Sequence, residues 1–488
     1  MMRYSCSGGP VCRLLLSLLF ALSCAACSGL PAHKRAMPAG HFAPPLPEVW
    51  QLDNGLTVMF LEDRELPLIN GSLIMKGGDL WAPADRPGLS AALGDQMRDG
   101  GAGQLGAEDL DRRLRDLSAE ISSDFDAEYG TVGFSCLSTD FTEVFGLMSD
   151  VVLRPRFESA RLDLWKARVI DGIRRRVEDP GEVAGLAFRQ LVYGQSAYGR
   201  VSTEADISRI RPSDLQALHR RFVSPLQAVL ALSGNASAAE VRGLVQKHFG
   251  SWAVNSDPVG NFPGLDFDPQ PGLYFIKLPF QQATVNMGMQ GVPRLTPDMI
   301  AIDVFNEMFG SGKFGSRLFR KVRTEMGLSY SVYGGIYAGP LRGMNMISLQ
   351  TKGNETGRAI IEALSVLHDF QSRPVSLEEL SDAKRVIENS FVFKFDSRAE
   401  IVRRRAFLRF LQYPADHYET YLPRIAAVTP QDVGAVAVKR WASDRFVVVV
   451  VGDENAYNSL QTVLPQFPEG LRRAGIRLVQ FDQRLILK

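Results

Sequence analysis

The stretch RPSDLQALHRRFVSPLQAVLALSGNASA, residues 211–238, returns in altered form as TPQDVGAVAVKRWASDRFVVVVVGDENA, residues 429–456. Each copy has a Pro, an Asp two residues later, a helical segment, an apolar strand and a Gly turn, and the Pro precedes the Gly by 22 residues in both. Pro followed by an acidic residue is typical of the first turn of a helix. A unit repeated in this way indicates two domains built on one plan.

The segments before each copy also follow one order, which is strands, a short helix, two further strands and then long helices. In the first half the order begins with a hairpin, where Asn54-Gly55 is a strong turn signal between two alternating segments. The Pro-, Gly- and Asp-rich segment 251–270 predicts a linker. We therefore predict an α+β fold of two homologous domains, residues 48–250 and 271–455, each a mostly antiparallel sheet with helices packed on it, and a C-terminal extension over 456–488.

Composition excludes some classes of function. The chain has 488 residues, 45% of them hydrophobic and 22% charged, which is typical of a soluble globular protein of several domains. Its net charge of +1 gives no electrostatic indication of nucleic-acid binding. Cys136 is the one cysteine beyond the N-terminal segment, so no intrachain disulfide framework is expected, and we predict a buried structural thiol.

The N-terminal segment predicts that the protein is exported, and we do not expect this segment to be part of the fold. Arginines precede the apolar run LLLSLLFALSCAA, residues 14–26, which is short for a membrane span but suits a signal peptide. The following CSG is similar to a bacterial lipoprotein cleavage site, with Cys27 as the lipidated residue and Cys24 as the alternative. We expect residues 1–27 to be the signal peptide, residues 28–47 a spacer, and the protein to be periplasmic in a bacterial envelope, tethered to a membrane by lipid. Ordinary secretion and a retained anchor are the alternatives.

The stretch PGLSAALGDQMRDGG, residues 87–101, predicts one short helix with an apolar stripe formed by Leu89, Ala92, Leu93 and Met97. Taken with other segments, it resembles the insulinase/pitrilysin metallopeptidases, in particular two-domain members that work as pairs, such as the mitochondrial processing peptidase. The resemblance covers about residues 48–455. It rests on the order and spacing of LDNGLTVMFLED, GLSAALGDQM, YGQSAYGR, FGSRLFRKVRTEMGLSYSV and RIAAVTPQDV. It implies that the two domains face each other as a clamshell.

The resemblance also implies where a zinc site would stand. In active members this helix carries His-x-x-Glu-His, which supplies two zinc ligands and a general base, and a Glu on a later helix is the third ligand. Here these positions are Ala91, Gly94 and Asp95, and then Gly172. We therefore predict that this chain binds no metal. The six histidines show no ligand spacing, and we predict that each is a surface or spacer residue.

The second half contains an Arg and a Tyr at a spacing that is also found in paired family members. In paired family members an Arg and a Tyr seven residues apart reach the zinc site of the partner, where they hold the substrate backbone and the developing oxyanion. The stretch VRTEMGLSYSV supplies Arg323 and Tyr330 at this spacing. The Gly-rich stretch before them, with Gly310, Gly312 and Gly315, corresponds to a family loop that contacts substrate; a mobile turn is the alternative.

From this resemblance we predict a non-catalytic, Arg/Tyr-donating subunit of a two-subunit zinc endopeptidase. The partner would carry His-x-x-Glu-His and the zinc, and extended peptides would be the substrates, adding a strand to a sheet edge. Proteolysis is expected only with that partner, so whether this chain counts as an enzyme stays open. An inert peptide-binding or structural scaffold of the same fold is the alternative. A self-sufficient metalloprotease is disfavoured by the missing ligands.

Overall fold

A computed structural model describes residues 44–255, 259–262, 264–311 and 314–480. The predicted signal peptide, Cys24, Cys27 and most of the predicted spacer lie outside the described residues. Among the helices that are described, none is long and apolar enough to cross a membrane.

The first half forms a sheet of six described strands. They are β1 (Glu48–Gln51), β2 (Thr57–Glu62), β3 (Leu68–Lys76), β4 (Glu120–Phe125), β5 (Tyr129–Leu137) and β6 (Ala228–Gly234). Their order in the sheet is β1-β2-β6-β3-β5-β4, with β2 and β6 parallel and the other neighbours antiparallel. The predicted hairpin is confirmed, because β1 and β2 pair across Asn54-Gly55 and Gly55 has a φ of 92° that a side chain would disfavour.

The second half repeats this sheet. Its described strands are β7 (Gly272–Lys277), β8 (Gln282–Gln290), β9 (Ser329–Tyr337), β10 (Met344–Lys352), β11 (Val447–Gly452) and β12 (Ile476–Leu478). Their order is β12-β7-β11-β8-β10-β9, with β7 parallel to β11 and β12. Five of the six strand positions correspond between the two sheets. The sixth, at one edge, is occupied by β1 in the first sheet and by β12 in the second. The predicted repeat and α+β fold are confirmed.

Helices connect and cover the strands. Those of the first half are α1 (Leu89–Asp99), α2 (Ala107–Asp116), α3 (Phe141–Leu153), α4 (Ser159–Arg175), α5 (Pro180–Tyr193), α6 (Glu204–Arg209), α7 (Pro212–Phe222) and α8 (Ala238–Phe249). Those of the second half are α9 (Met299–Phe309), α10 (Thr356–Ser372), α11 (Leu377–Phe391), α12 (Arg398–Phe410), α13 (His417–Ala427), α14 (Pro430–Arg440), α15 (Glu454–Val463) and α16 (Glu469–Ala474), with a π-helical segment at Phe319–Glu325.

The repeated Pro-x-Asp signature has a direct structural cause. Pro212 and Pro430 are the first residues of α7 and α14, where the missing N–H costs no hydrogen bond. The Asp432 carboxylate accepts the backbone N–H of Thr429 at 2.8 Å, and Asp214 accepts that of Arg211 at 2.9 Å. Each pair closes the N-terminus of its helix. The chain then enters β6 or β11, whose residues are all buried.

Each sheet is covered on one face by a helix from the other half. Helix α12 packs across β6, β2 and β3 of the first sheet, and α5 packs on β11 and β8 of the second. Side chains alternate along a strand, so Met59 and Leu61 of β2 meet α12, whereas Val58 and Phe60 face the core formed with helices of the first half. Residues 48–250 therefore supply the strands of the first sheet, and residues 271–455 supply those of the second except for β12. The two ranges do not form two separate cores.

Polar contacts also join the halves. Glu128, in the turn between β4 and β5, accepts both terminal nitrogens of Arg294 from the second half, and both side chains are largely buried. The Tyr193 hydroxyl donates to the carbonyl of Gly343 at 2.6 Å. The predicted C-terminal extension continues this packing, because the N–H of Val479 donates to the carbonyl of Phe275 at 2.9 Å. The described part of this extension packs on the body of the protein.

We expect Phe188→Ala to lower the free energy of unfolding by about 3–5 kcal/mol, the cost of truncating a buried Phe. Phe188 lies on α5 of the first half, is 1% exposed, and packs in the cluster formed with β7 and β11 of the second. Urea unfolding should remain one cooperative transition with a lower midpoint. Phe393→Ala is the matched control, since this side chain is 76% exposed and its loss should change little. A separate early transition in F188A would show that the halves unfold independently.

Candidate functional site

Asp95, which the resemblance predicts to be at the position of the second His ligand, contacts α4. Its carboxylate accepts the indole N–H of Trp165 at 2.5 Å and lies 3.8 Å from the guanidinium of Arg168. Ala91, one turn earlier on α1, is exposed and brings no ligand atom. Asp95 therefore joins α1 to α4, and Ala91 faces solvent.

Gly94, the position that the resemblance predicts for the general base, lies where α1 closely approaches β4. A Cβ on Gly94 would overlap the backbone nitrogen of Phe125 and lie 2.8 Å from the carbonyl carbon of Asp124. The Ser123 hydroxyl donates to the carbonyl of Gly94 at 2.5 Å and stabilises this contact between α1 and β4. The strand backbone therefore occupies the space that a Glu side chain would need, so restoring the ligand set alone would not rebuild the site.

Gly172, the position that the resemblance predicts for the third ligand, faces open space on α4. Its neighbour Asp171 pairs with Arg175 at 2.8 Å on the helix surface, whereas Asp95 accepts from Trp165, so these two carboxylates have separate structural partners. Across the part of the chain that the structure describes, no three His, Cys, Asp or Glu side chains are grouped so as to hold a metal ion.

The prediction that every histidine is a surface or spacer residue is wrong for His219. This side chain is half-buried against α3, with Nε2 2.7 Å from the carbonyl oxygen of Val152, and burial lowers its pKa. The amphipathic pattern of α7 alone does not show that His219 would contact a neighbouring helix. Cys136 is buried as predicted, and burial raises the pKa of its thiol to about 12.

Arg323 and Tyr330 are brought together. The guanidinium carbon of Arg323 lies 4.5 Å from the ring centroid of Phe319, one turn earlier, and 5.2 Å from that of Tyr330. Contacts of this kind attract a cation to the face of an aromatic ring. The Arg is thus held between two rings, with its position fixed by the π-helical segment and by the start of β9.

A β-bulge directs Tyr330 away from the sheet. Ser331 pairs with Gln350 and Ser329 pairs with Thr351, so Tyr330 is the extra residue of the edge strand. Bulges of this kind turn a side chain out of the regular alternation. Tyr330 is 80% exposed, and its hydroxyl is open to solvent or to a ligand.

Arg323 differs from the other cations of its segment in having no carboxylate. Arg317 binds Glu379 at 2.6 Å, Arg320 lies 3.6 Å from Glu325, and Lys321 lies within 4 Å of two carboxylates. No ion pair involves Arg323 among the described residues. Among the described residues its guanidinium contacts two ring faces and no carboxylate, which leaves its N–H donors available.

The predicted substrate loop is only partly described. Gly310 packs against β9, where its carbonyl accepts the N–H of Gly334 at 2.8 Å and its lack of a side chain allows the approach. Gly315 lies in open space, and Gly312 is outside the described residues. Between them Phe314 is 81% exposed, and its ring centroid lies 4.8 Å from that of Phe319, the ring beneath Arg323.

The edge strands β9 of the second sheet and β4 of the first are both partly covered. On β9 the outward N–H of Gly334 is taken by Gly310, and the Asn306 side chain bonds both backbone groups of Ile336 at 2.8 and 2.9 Å. On β4 the carbonyl of Ile121 accepts the guanidinium of Arg98 at 3.3 Å. A peptide strand added to β9 would have to pair with its start, next to Tyr330. The sequence carries no signal for this covering.

Comparison with known proteins agrees with the fold. Residues 209–387 match the family model described as "Peptidase M16 inactive domain". An uncharacterized zinc protease of Mycobacterium tuberculosis is 24% identical over 360 residues, which cover 72% of this chain and 81% of that protein. The non-peptidase homolog YmxG of Helicobacter pylori is 21% identical over 382 residues, which cover 77% of this chain and 87% of that one.

Solved structures share the architecture. The peptidase M16 inactive domain from Pseudomonas fluorescens has a TM-score of 0.77 at 24% identity, over 84% of this chain and 98% of that chain. The periplasmic protease PqqL from Escherichia coli has a TM-score of 0.73 at 16% identity, over 84% of this chain and 46% of that one. Together with the family match, these findings confirm the predicted resemblance to the insulinase/pitrilysin metallopeptidases, which form the M16 family.

Two helical glycines give opposite predictions. Gly94→Ala should lower the free energy of unfolding by about 1–3 kcal/mol, because the added methyl overlaps the backbone of β4. Gly172→Ala should raise it by up to about 1 kcal/mol, since the site is open and Ala favours the helix. Denaturant titration of both variants measures the difference. Stabilisation by Gly94→Ala would contradict the close packing of α1 on β4.

Proposed function

We propose that this chain is the non-catalytic subunit of a two-subunit zinc endopeptidase. Its fold is similar to that of M16 peptidases, and its residues 209–387 match the model described as "Peptidase M16 inactive domain". The observation that carries the proposal is the state of Arg323. It is a cation without a carboxylate partner among the described residues, held between Phe319 and Tyr330 at the exposed start of an edge strand.

The pair suits the chemistry of peptide hydrolysis. An arginine offers a fork of donors that never loses its charge, and a tyrosine hydroxyl can donate to the oxygen that becomes negative as water attacks a carbonyl. Donors fixed in advance stabilise this charge better than donors that must reorganise. The two rings and the bulge give Arg323 and Tyr330 that fixed geometry.

The zinc, its ligands and the general base are assigned to the partner. Ala91, Gly94 and Gly172 offer no ligand atom, and β4 fills the space beside Gly94. The partner therefore needs an intact His-x-x-Glu-His helix, which would bind zinc and activate water. Extended peptides or unfolded segments are the proposed substrates. We place the pair in a bacterial periplasm, with this chain attached to the membrane through a lipid on Cys27, or on Cys24.

The covered edge of β9 favours a second candidate, an inert scaffold of the same fold. Strand addition needs unpaired backbone groups. At Gly334 and Ile336 these groups are already bonded within the chain, which shortens the edge available to a peptide. A scaffold would enclose peptides or partners without using Arg323 in any reaction.

Arg323→Ala separates the two candidates. In the purified two-subunit complex we expect this variant to lower kcat for an unfolded reporter peptide by roughly 10²-fold, the scale of losing one oxyanion donor. Arg320→Ala is the matched control, because Arg320 is on the same segment, more than half exposed and paired with Glu325. Equal rates for the R323A and wild-type complexes would favour the scaffold.

A further inference from the structure

The β-bulge beside Tyr330 interrupts the regular ladder between β9 and β10. Ser331 pairs with Gln350 and Ser329 pairs with Thr351, so two residues of β9 stand opposite one residue of β10. An extra residue disrupts the ladder locally, and a buried carbonyl that loses its ladder partner needs another donor. In this bulge the donors come from two side chains.

The hydroxyl side chains of Ser329 and Thr351 are buried on the core side of the bulge. Ser329 is 6% exposed and Thr351 is 4% exposed. Thr351 follows Ile347 and Leu349 on the same face of β10, and both of these belong to the apolar core around the second sheet. A hydroxyl in such surroundings raises the free energy of the folded state unless it is hydrogen-bonded.

Both hydroxyls bond backbone carbonyls around the bulge. The hydroxyl of Ser329 donates to the carbonyls of Ser331 and Gln350, each at 2.6 Å. That of Thr351 donates to the carbonyl of Leu328 at 2.5 Å. The bonded carbonyls lie before the bulge, after it and on the facing strand. The two side chains therefore hold the backbone of the bulge from within the core.

The bulge decides the direction in which Tyr330 points. Residues directly opposite each other on neighbouring strands have their side chains on one face of the sheet. Without the extra residue Tyr330 would stand opposite Thr351, on the side of the core. With it, Tyr330 is 80% exposed, and its ring centroid lies 5.2 Å from the guanidinium carbon of Arg323. Loss of the bulge would therefore separate Tyr330 from Arg323.

We propose that Ser329 and Thr351 are positioning residues, whose hydroxyls hold the bulge that presents Tyr330 beside Arg323. Both act through Tyr330 rather than on a substrate. The proposal deepens the proposed function and rests on it for the effect on peptide cleavage. The presentation of Tyr330 is a property of this chain and can be measured without a protease.

Nitration by tetranitromethane measures the presentation of Tyr330 in the mature chain alone. Tyr333 and Tyr337, also on β9, are 41% and 44% exposed and serve as internal references in mass spectra. We expect Ser329→Ala/Thr351→Val to lower the nitration rate of Tyr330, relative to that of Tyr333, by about tenfold, because the carbonyls of the bulge lose their donors. Thr351→Ser, which keeps the hydroxyl, should be nitrated like the wild type.

Ser149→Ala/Thr356→Val is the matched control. Both side chains are buried, and each hydroxyl donates to a backbone carbonyl outside the bulge, at 2.7 and 2.8 Å. This variant loses the same groups but should leave the nitration of Tyr330 unchanged. Should the double bulge variant fail to fold, Thr351→Val alone should still lower the rate, by about threefold. An unchanged rate in the bulge variants, or an equal fall in the control, would overturn the proposal.

Cleavage of a reporter peptide by the two-subunit complex connects the bulge with catalysis. We expect Ser329→Ala/Thr351→Val to lower kcat by about the same factor as Tyr330→Phe, and the combined variant to lose less than about twofold more, since all act through one hydroxyl. Fully additive losses would overturn the proposal. Reduced nitration of Tyr330, together with wild-type cleavage by the Tyr330→Phe and Arg323→Ala complexes, would overturn the proposed function and leave the positioning role standing.

Discussion

The exchange of helices between the halves is the constraint on which the rest of this structure depends. A six-stranded sheet has two faces, and the helices of its own half cover only one of them. The other face of each sheet is buried by α5 or α12 of the opposite half, so neither half can complete its core alone. The exchange thereby fixes the position of α12 on the first sheet and of α5 on the second. Any movement that opened the chain between its halves would expose both inner faces.

The same core packing holds α1, the helix on which the resemblance places the metal-site positions. Helix α1 contacts β4, α4 and α7, and its buried stripe belongs to the core of the first half. The ligand positions lie on its other face, where Ala91 and Asp95 can vary as long as the stripe is kept. At Gly94, which has no side chain, β4 packs directly on the helix. Arg323 and Tyr330 lie in the second half of the chain, away from this contact.

Much of the fold could be predicted from the sequence, because its signals are local. The Pro-x-Asp starts of α7 and α14, the Asn54-Gly55 hairpin and the buried strands β6 and β11 follow from capping, turn and burial patterns. The pairing of Arg323 with Tyr330 followed from spacing within a recognised family frame. The helix exchange, the bonds from Asn306 to β9, the bulge at Tyr330 and the burial of His219 could not be predicted, since each depends on residues distant in the chain.

The central claim is that this chain acts through a partner that holds the zinc. The most direct test is to isolate the mature chain with its bound proteins from the native envelope and to measure zinc content and cleavage of an unfolded reporter peptide, with the chain purified alone beside it. The account predicts zinc and cleavage in the isolated complex, together with a co-purifying His-x-x-Glu-His protein, and neither in the chain alone. Cleavage and stoichiometric zinc in the chain alone, or a complex with no zinc protein, would contradict it.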